Sequence, residues 1–360
     1  MKIAIIGANG FVGTRLLEML HLGSSGHLPV PIVRRPSGLA PVCRFAVDWR
    51  IGDALELKSL TKALEGCDAV IHSAIGDPRQ IERMPAILCE AASNAGIRRV
   101  VYLSSASVHG QAPAHGTTEE SPLHTGQVME YNNAKVRAEI SFFRQCSKRD
   151  LEGFALRPGV VYGPRSRWIA DLAKDLRGGQ AWLHGDGSAV LNGIYVDNLC
   201  EAALRCLSTE PSTAGAYLLG DPAPMTWRGF TLAVASGVGV SEEHIHSVQK
   251  LPTYRRELRQ RIRDAAAGSF AQTLLPFFPG SLKQGVKRLL ESPPARTEAW
   301  SLPSPPAPRF TQELVLLQQC QWRLPHDKAT RLLGYAPRVD STEGIRRSLA
   351  WLAFAEGRPC

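Results

Sequence analysis

Three glycines in the pattern Gly7-x-x-Gly10-x-x-Gly13 limit the fold of this chain more than any other feature. They stand between the apolar run Lys2–Ile6 and the segment Phe11–Leu22, where apolar residues recur at helical spacing. Glycines at such a strand-to-helix turn permit a tight turn, close approach of the backbone to a pyrophosphate, and close helix–strand packing. The motif therefore predicts a dinucleotide-binding loop. The predicted contacts in it are Gly7, Asn9, Gly10, Phe11, Val12 and Gly13.

The first 160 residues or so alternate strand-like and helix-like patterns with short connections. Such alternation predicts an α/β fold: a doubly wound parallel sheet, covered on both faces, with right-handed crossovers. Pro31 should weaken the pairing of the second strand. The predicted strands are Lys2–Ile6, Val30–Val33, Ala69–Ser73, Arg99–Leu103 and Phe154–Leu156, and the predicted helices are Phe11–Leu22, Leu57–Leu64 and Pro85–Ala95.

Composition excludes several classes of protein. A chain of 360 residues can bury one large or two modest cores. The net charge of +9 raises the question of nucleic acid, but no nucleic-acid motif appears, and a basic surface around a phosphate-bearing cofactor accounts for it. The eight cysteines are scattered without a Cys-x-x-Cys, and His244-x-His246 is too little for zinc, so we predict no metal.

Neither a membrane span nor a targeting segment is expected. No stretch approaches the roughly 18–20 apolar residues that cross a bilayer. Met1-Lys2 leads straight into the first predicted strand, which leaves no room for a cleavable signal. We therefore expect a cytoplasmic location.

Two arginines follow the second predicted strand. NAD-selective proteins commonly carry an acidic residue there to bind ribose hydroxyls, whereas Arg34-Arg35 suits a 2′-phosphate. We expect NADP(H) in preference to NAD(H), which stays open as the alternative. Asp53 follows the third strand and is placed to meet the adenine edge.

A tyrosine and a lysine, Tyr131 and Lys135, stand four residues apart and would share one face of a helix. The Lys135 ammonium should lower the pKa of the Tyr131 phenol and can hold the nicotinamide ribose. Tyr131 could then exchange a proton with a substrate hydroxyl while hydride passes to or from the ring. Ser105, at the end of a predicted strand, would hydrogen-bond the same oxygen.

In this order, the motifs resemble the extended short-chain dehydrogenase/reductases, also called the NAD-dependent epimerase/dehydratase family. The resemblance covers about residues 1–240 and returns near the end of the chain. The residues that carry it are Gly7-x-x-Gly-x-x-Gly13, Asp53, Ala69-Val-Ile-His-Ser-Ala74, Ser104-Ser-Ala-Ser-Val-His-Gly110, Tyr131-x-x-x-Lys135, Arg157-Pro-Gly-Val-Val-Tyr-Gly-Pro164, Gly185-Asp-Gly-Ser, Ile194-Tyr-Val-Asp-Asn198, Leu332-Leu-Gly-Tyr-Ala-Pro-Arg338 and Trp351.

The resemblance implies a Rossmann-like cofactor domain, about residues 1–165, and a smaller C-terminal α/β substrate domain, mainly 166–360. It implies the roles given above for Ser105, Tyr131 and Lys135. Cofactor contacts at Ser73, Ala74, Pro158 and Gly159 follow from it as well, the last two beside the nicotinamide. A homodimer through the helices around Pro85–Ala95 and Tyr131–Phe143 is expected on the same ground.

Three departures from the family pattern bear on the substrate. His109 stands where the family usually has Tyr. Ser105-Ala106-Ser107 lacks the carboxylates that sugar-nucleotide dehydratases carry at this segment, which argues against dehydration and is closer to hexose epimerases. Leu191 occupies about the position where many sugar-nucleotide members hold the diphosphate with Arg, which weakens that substrate class.

The stretch from about 241 to 321 is rich in Pro and Arg, with Arg255–Arg263 at its centre and Leu274–Pro279 and Val286–Leu290 after it. It is interpreted as an insertion packed on the smaller domain. A lid, a partner-binding helix pair and a basic surface that meets a membrane remain alternatives.

The leading functional hypothesis is an NAD(P)-dependent oxidoreductase that acts reversibly at a secondary hydroxyl or ketone of a small, sugar-like substrate, possibly linked to a nucleotide. Three alternatives stay open: a sugar-nucleotide epimerase with a retained cofactor, an NADPH-dependent reductase of an apolar ketone, and a cofactor-sensing protein without catalysis.

Overall fold

A computed structural model of the chain describes residues 1–23, 26–250 and 310–357. Its strands are β1 (Lys2–Ile6), β2 (Leu28–Val33), β3 (Arg50–Ile51), β4 (Ala69–His72), β5 (Arg99–Leu103), β6 (Glu152–Pro158), β7 (Val160–Tyr162), β8 (Ala181–His184), β9 (Gly193–Tyr195), β10 (Gly215–Leu219) and β11 (Ile245–Val248). Its helices are α1 (Phe11–Leu22), α2 (Leu57–Leu64), α3 (Pro78–Asn94), α4 (Glu130–Lys148), α5 (Arg167–Arg177), α6 (Val196–Arg205), α7 (Trp227–Gly237), α8 (Gln312–Leu317), α9 (Asp327–Leu333) and α10 (Ser341–Ala355).

Seven parallel strands form the main sheet, in the order β10-β6-β5-β4-β1-β2-β3. Buried apolar clusters cover both of its faces, so the predicted α/β class and doubly wound sheet are confirmed. The strand order reverses between β1 and β4, and ligands of such sheets bind outside the carboxyl ends of the strands at that point. The ends of β1, β4, β5 and β6 therefore position the site.

The second strand accommodates two prolines without a loss of pairing to β1. The Leu28 N–H donates to Met1 O over 2.9 Å. Because successive N–H groups of a strand alternate in direction, the missing N–H groups of Pro29 and Pro31 lie on the β3 side. On that side β3 pairs only with residues 32 and 33. The prolines thus remove donors where almost no partner strand exists.

Helix α3 corrects the predicted start of the Pro85–Ala95 helix, which the structure begins at Pro78. Asp77 and Gln80 form a reciprocal capping box at its N-terminus, and proline at the first helical position is favoured. Pro85 lies inside the helix, where it gives up one backbone hydrogen bond.

The C-terminal half adds two small parallel sheets, β7 with β9 and β8 with β11. The buried Asp221 carboxylate joins this region, because it accepts hydrogen bonds from Tyr162 Oη (2.6 Å), Tyr195 N (2.9 Å) and Asn198 Nδ2 (2.8 Å). Strand β10 lies at the edge of the main sheet. The domain boundary near residue 165 stays a prediction.

Most of the interpreted insertion, residues 251–309, lies outside the described residues, including Arg255–Arg263, Leu274–Pro279 and Val286–Leu290. Its described ends form β11 and α8. Among the helices that the structure describes, none is both long and apolar enough to cross a membrane.

Candidate active site

A cleft of about 1100 Å³ runs along the carboxyl edge of the sheet, from the glycine loop to helices of the C-terminal half. It brings together nearly all of the predicted site residues. Those that line it are Gly7, Asn9, Gly10, Phe11, Val12, Arg34, Asp53, Ser73, Ala74, Ser105, Tyr131, Lys135, Pro158 and Gly159. Gly13 and Arg35 are not among its lining residues in the part of the chain described.

The glycine loop has the close packing that a pyrophosphate site requires. Gly7 has φ +82°, and a Cβ built there would lie 2.8 Å from Ala74 Cα. A Cβ at Gly13 would lie 2.2 Å from Gly7 O, so Gly13 serves the packing of α1 behind the loop rather than the cleft wall. The Gly10 N–H donates to Gly7 O over 2.9 Å, which closes the turn. The loop therefore fits the pyrophosphate of a dinucleotide.

Two charged residues, Arg34 after β2 and Asp53 after β3, line the end of the cleft where the adenosine of a dinucleotide would lie. Arg34 is exposed at the lip of the cleft, directly after β2. Arg35 is also exposed but is not among the lining residues. Asp53 lines the cleft, and its Oδ1 accepts from Leu55 N over 2.9 Å. These residues suit a dinucleotide that lies across the ends of β2 and β3.

The three predicted catalytic side chains meet in the middle of the cleft. Ser105 Oγ accepts from Ser107 N over 3.1 Å, and the Ser105 side chain also hydrogen-bonds that of Tyr131. Tyr131 lies in the first turn of α4. Lys135 Nζ donates to Leu103 O over 3.0 Å and lies 6.0 Å from the centroid of the Tyr131 ring. The arrangement leaves the phenol oxygen facing the same space as the serine.

Burial controls the ionisation of both helix residues. It raises the pKa of Tyr131 to about 12, the charge of Glu313 adds to the rise, and a hydrogen bond with Ser105 opposes it. Burial also lowers the pKa of Lys135 to about 8, against the charge of Glu139. The pKa of Tyr131 is therefore raised overall, and the expected lowering by Lys135 stays a prediction, because Lys135 is not among the groups that shift it here.

A buried ion pair lies directly beneath these residues. Glu139, one turn after Lys135 on α4, accepts from Arg157 Nε (3.0 Å), Arg157 Nη2 (2.5 Å) and Ser104 Oγ (2.5 Å). Arg157 Nη1 also lies 3.1 Å from His109 Nε2. Burial and the Arg157 charge lower the pKa of His109 to about 4, so the imidazole is neutral and can accept that bond.

Of the residues that the C-terminal half contributes to the cleft, sequence reasoning singled out Leu191 and missed the others. Most of them are apolar: Trp168, Leu172, Trp182, Leu191, Trp227, Phe230, Leu314 and Leu317. Charged residues also line this half of the cleft: Arg165, Arg167, Asp171, Asp175 and Glu313. Glu313 accepts a 3.1 Å hydrogen bond from Gln111 of the N-terminal half. The sequence did contain a signal for α8. Thr311 caps the helix by accepting from Leu314 N, and apolar residues follow it at helical spacing.

With the loop, the Ser–Tyr–Lys group and the cleft described, comparison with known proteins identifies the family. The sequence profile of the NAD dependent epimerase/dehydratase family matches residues 3–220. The chain belongs to this family. It is accordingly an enzyme of the NAD-dependent oxidoreductase and epimerase class, with a Rossmann-like cofactor fold.

Curated relatives act on diverse substrates. The 2-alkyl-3-oxoalkanoate reductase of Stenotrophomonas maltophilia is 28% identical over 368 residues, which cover 96% of this chain and 98% of that protein. The decarboxylating sterol-4-alpha-carboxylate 3-dehydrogenase of Saccharomyces cerevisiae is 25% identical, covering 98% and 97%. The UDP-glucose 4-epimerase of Mycolicibacterium smegmatis is 26% identical, covering 81% and 98%.

Solved structures support the fold. A dTDP-glucose 4,6-dehydratase from Streptomyces venezuelae with NAD bound superposes with a TM-score of 0.69 at 19% identity, covering 99% of this chain and 98% of that one. A UDP-glucose 4-epimerase from Thermotoga maritima gives 0.69 at 17% identity, covering 99% and 100%.

Proposed function

We propose that this enzyme interconverts a secondary alcohol and a ketone on a substrate with an apolar body, with Tyr131 as the acid/base. The observation that carries the proposal is the position of the Ser105–Tyr131–Lys135 group. On one side of it lies the glycine loop, and on the other side lies a part of the cleft whose apolar residues include tryptophan, leucine and phenylalanine, with charged and polar side chains between them. An apolar body buried there would place an oxygen at the polar group between the two parts.

The roles of the three residues follow from their contacts. When bound, the nicotinamide supplies or accepts the hydride. In the reduction direction the Tyr131 phenol, which is protonated at neutral pH, donates its proton to the substrate oxygen. Ser105 donates its hydroxyl proton to the same oxygen. Lys135, held by Leu103 O, is placed to bind the ribose beside the nicotinamide.

NADP(H) is the preferred cofactor within this proposal. Arg34 supports the preference, because it lines the cleft directly after β2 and carries a charge that suits a 2′-phosphate. Arg35 adds charge near the same end of the strand.

A homodimer through α3 and α4 also belongs to the proposal, and the mass of the protein in solution tests it.

Two observations favour an apolar ketone over the sugar-like substrate of the leading hypothesis. The C-terminal wall carries three tryptophans, several leucines and a phenylalanine beside its polar residues, and Leu191, at the position expected for a diphosphate-binding arginine, is 3% exposed. Two relatives that align along nearly the whole chain carry names with an alkyl-oxo acid and a sterol as substrates. Sugar-nucleotide epimerisation is the second candidate, supported by the relative named UDP-glucose 4-epimerase.

The test is a paired assay of turnover at 340 nm with NADPH and NADH. Neutral 3-oxo esters of increasing alkyl length and a cyclic ketone are compared with UDP-glucose. Oxidation of NADPH that accelerates with alkyl length supports the proposal, and the Tyr131→Phe variant should lose about 10²–10⁴-fold in rate. Tyr217→Phe, outside the cleft lining, is the matched control. Epimerisation of UDP-glucose without net oxidation of NADPH would replace the proposal by the second candidate.

A further inference from the structure

The loop before α4 carries a glutamine that joins two parts of the active site. Gln127 Nε2 donates to Val108 O over 2.9 Å, and Gln127 Oε1 accepts from Asn132 Nδ2 over 2.9 Å. Val108 belongs to the 3₁₀ turn that starts after Ser105. Asn132 follows Tyr131 in the first turn of α4. One side chain therefore connects the turn after the serine to the helix turn that carries the phenol.

The backbone of Gln127 is anchored to the same helix. Asn133 Oδ1 accepts from the backbone N–H groups of Gly126 (2.9 Å) and Gln127 (2.8 Å), and Asn133 Nδ2 donates to Gln127 O over 3.1 Å. Met129, the N-cap residue of α4, provides no side-chain cap. The side chains of Asn132 and Asn133 are buried. Because breaking these bonds would leave buried amide groups without partners, the loop and the first turn of α4 keep one relative position.

The turn on the other side of the connection is closed by two hydrogen bonds. Val108 N donates to Ser105 O over 3.2 Å, and Ser107 N donates to Ser105 Oγ over 3.1 Å. The buried Val108 therefore cannot shift without moving Ser105. The Ser105 side chain also hydrogen-bonds that of Tyr131. The connection through Gln127 runs parallel to this contact and holds both of its partners.

We propose that Gln127 is a positioning residue: its side-chain amide holds Ser105 Oγ and the Tyr131 phenol at the separation at which both reach one substrate oxygen. The inference rests on the proposed function, in which both groups donate to that oxygen. Catalytic groups must lie within about 0.5 Å of the productive geometry, and a displacement of about 1 Å can cost about 10²-fold in rate. Gln127 is not among the cleft-lining residues in the described part of the chain, so it acts through these two groups rather than on the substrate.

The buried ion pair of Glu139 and Arg157 does not replace this connection. Glu139 follows Tyr131 by about two helical turns and accepts from Ser104 Oγ, which holds that part of α4 to the end of β5. The first turn of the helix lies beyond it. A glutamine that only stabilised its own loop would also lower stability when removed, but its removal would leave the contact between Ser105 and Tyr131 unchanged.

The test observes this contact without a substrate. A ring-fluorinated tyrosine is introduced at position 131 of the full-length chain, and its ¹⁹F resonance, which responds to hydrogen bonding of the phenol, is recorded. The proteins compared are the otherwise unchanged chain, Ser105→Ala, Gln127→Ala and the double variant. Gln127→Ala should displace the resonance in the same direction as Ser105→Ala. In the Ser105→Ala background its effect should fall to less than about half, because the contact that it disturbs is already absent.

Gln145→Ala is the matched control, since Gln145 is a glutamine near the other end of α4 that hydrogen-bonds Arg149. It should leave the resonance in place. The inference is overturned by an unchanged resonance in Gln127→Ala, by an equal displacement in Gln145→Ala, or by full additivity with Ser105→Ala. Thermal melts establish that each variant is folded. If the alanine variant does not fold, Gln127→Glu takes its place with the same expected displacement, because it keeps an acceptor for Asn132 and at neutral pH has no donor for Val108 O.

Turnover separates the inference from the proposed function. With a ketone that the enzyme reduces, Gln127→Ala should lower kcat about 10–100-fold and leave the Kd of NADPH unchanged. A displaced resonance without turnover of any ketone would refute the proposed function alone and leave the role of Gln127 standing. A kcat that Gln127→Ala does not change would refute the role of Gln127 and leave the proposed function standing.

Discussion

Glu139 forms a buried ion pair with Arg157 beneath the site. Removing the Glu139 charge should lower the free energy of unfolding more than any other single charge change around this pair. Glu139 and Arg157 side chains are 1% and 4% exposed, and the carboxylate accepts four hydrogen bonds, three from Arg157 and one from Ser104. In Glu139→Gln the guanidinium stays buried without its counter-charge, and an amide N–H replaces one acceptor. Breaking a buried pair in this way costs about 3–5 kcal/mol.

That cost translates into a measurable shift in melting temperature. A chain of 360 residues unfolds with an entropy of about 0.8 kcal/mol/K near its melting temperature, so the midpoint should fall by about 4–7 °C. The free energy of unfolding from guanidinium titration should fall by the same 3–5 kcal/mol. Because Glu139 raises the pKa of Lys135, the variant should also lower that pKa below about 8.

An exposed ion pair provides the control for this prediction. Arg98 and Asp150 lie 2.6 Å apart, with side chains 67% and 89% exposed. Asp150 has φ +54°, which asparagine tolerates, so Asp150→Asn removes charge without adding strain. Its effect should stay within about 0.5 kcal/mol. Equal shifts in the two variants would refute the claim that the buried pair holds α4 against β6.

Three further predictions test the cofactor loop and the lysine. Arg34→Ala should weaken NADPH binding about 10–100-fold, the worth of one charged hydrogen bond, while NADH binding measured by calorimetry changes little; an equal loss for both would remove the 2′-phosphate assignment. Gly7→Ala, at φ +82° and 2.8 Å from Ala74 Cα, should cost about 1–3 kcal/mol in denaturant titration and abolish dinucleotide binding. Lys135, whose pKa falls from 10.5 to about 8 on folding, is penalised while charged. The wild type should therefore gain stability relative to Lys135→Met between pH 8 and 10.5; a constant gap across that window would contradict the assignment.

The sequence could predict the parts of the site that depend on local pattern. The glycine loop, β1 and α1 are confirmed at the predicted bounds, because apolar periodicity and turn residues determine them locally. Ser105, Tyr131 and Lys135 come together because each follows or faces the carboxyl end of a parallel strand. Parallel pairing places those ends on one edge, so the order of motifs along the chain already implied their meeting.

What could not be predicted depends on contacts between distant segments. The rise in the pKa of Tyr131 comes from burial and from Glu313, neither of which the spacing of Tyr131 and Lys135 could indicate. The side chain of Glu313 comes from α8, near the end of the long interpreted insertion, and no local pattern indicates where that helix packs. The early start of α3 at Pro78 had a readable signal in Asp77 and Gln80, which the prediction did not use.

The buried Glu139–Arg157 ion pair lies beneath the site. The Glu139–Arg157 pair contacts Ser104 at the end of β5, and Arg157 Nη1 donates to Glu119 O in the loop before α4. Such a pair contributes little net stability relative to well-packed apolar residues. The pair is, however, compatible with one arrangement of the β5 end, the loop before α4 and α4 itself, because a shift of any of these elements would leave a buried charge unpaired. The Glu139–Arg157 pair is therefore best understood as the device that fixes α4, and with it Tyr131 and Lys135, relative to Ser105.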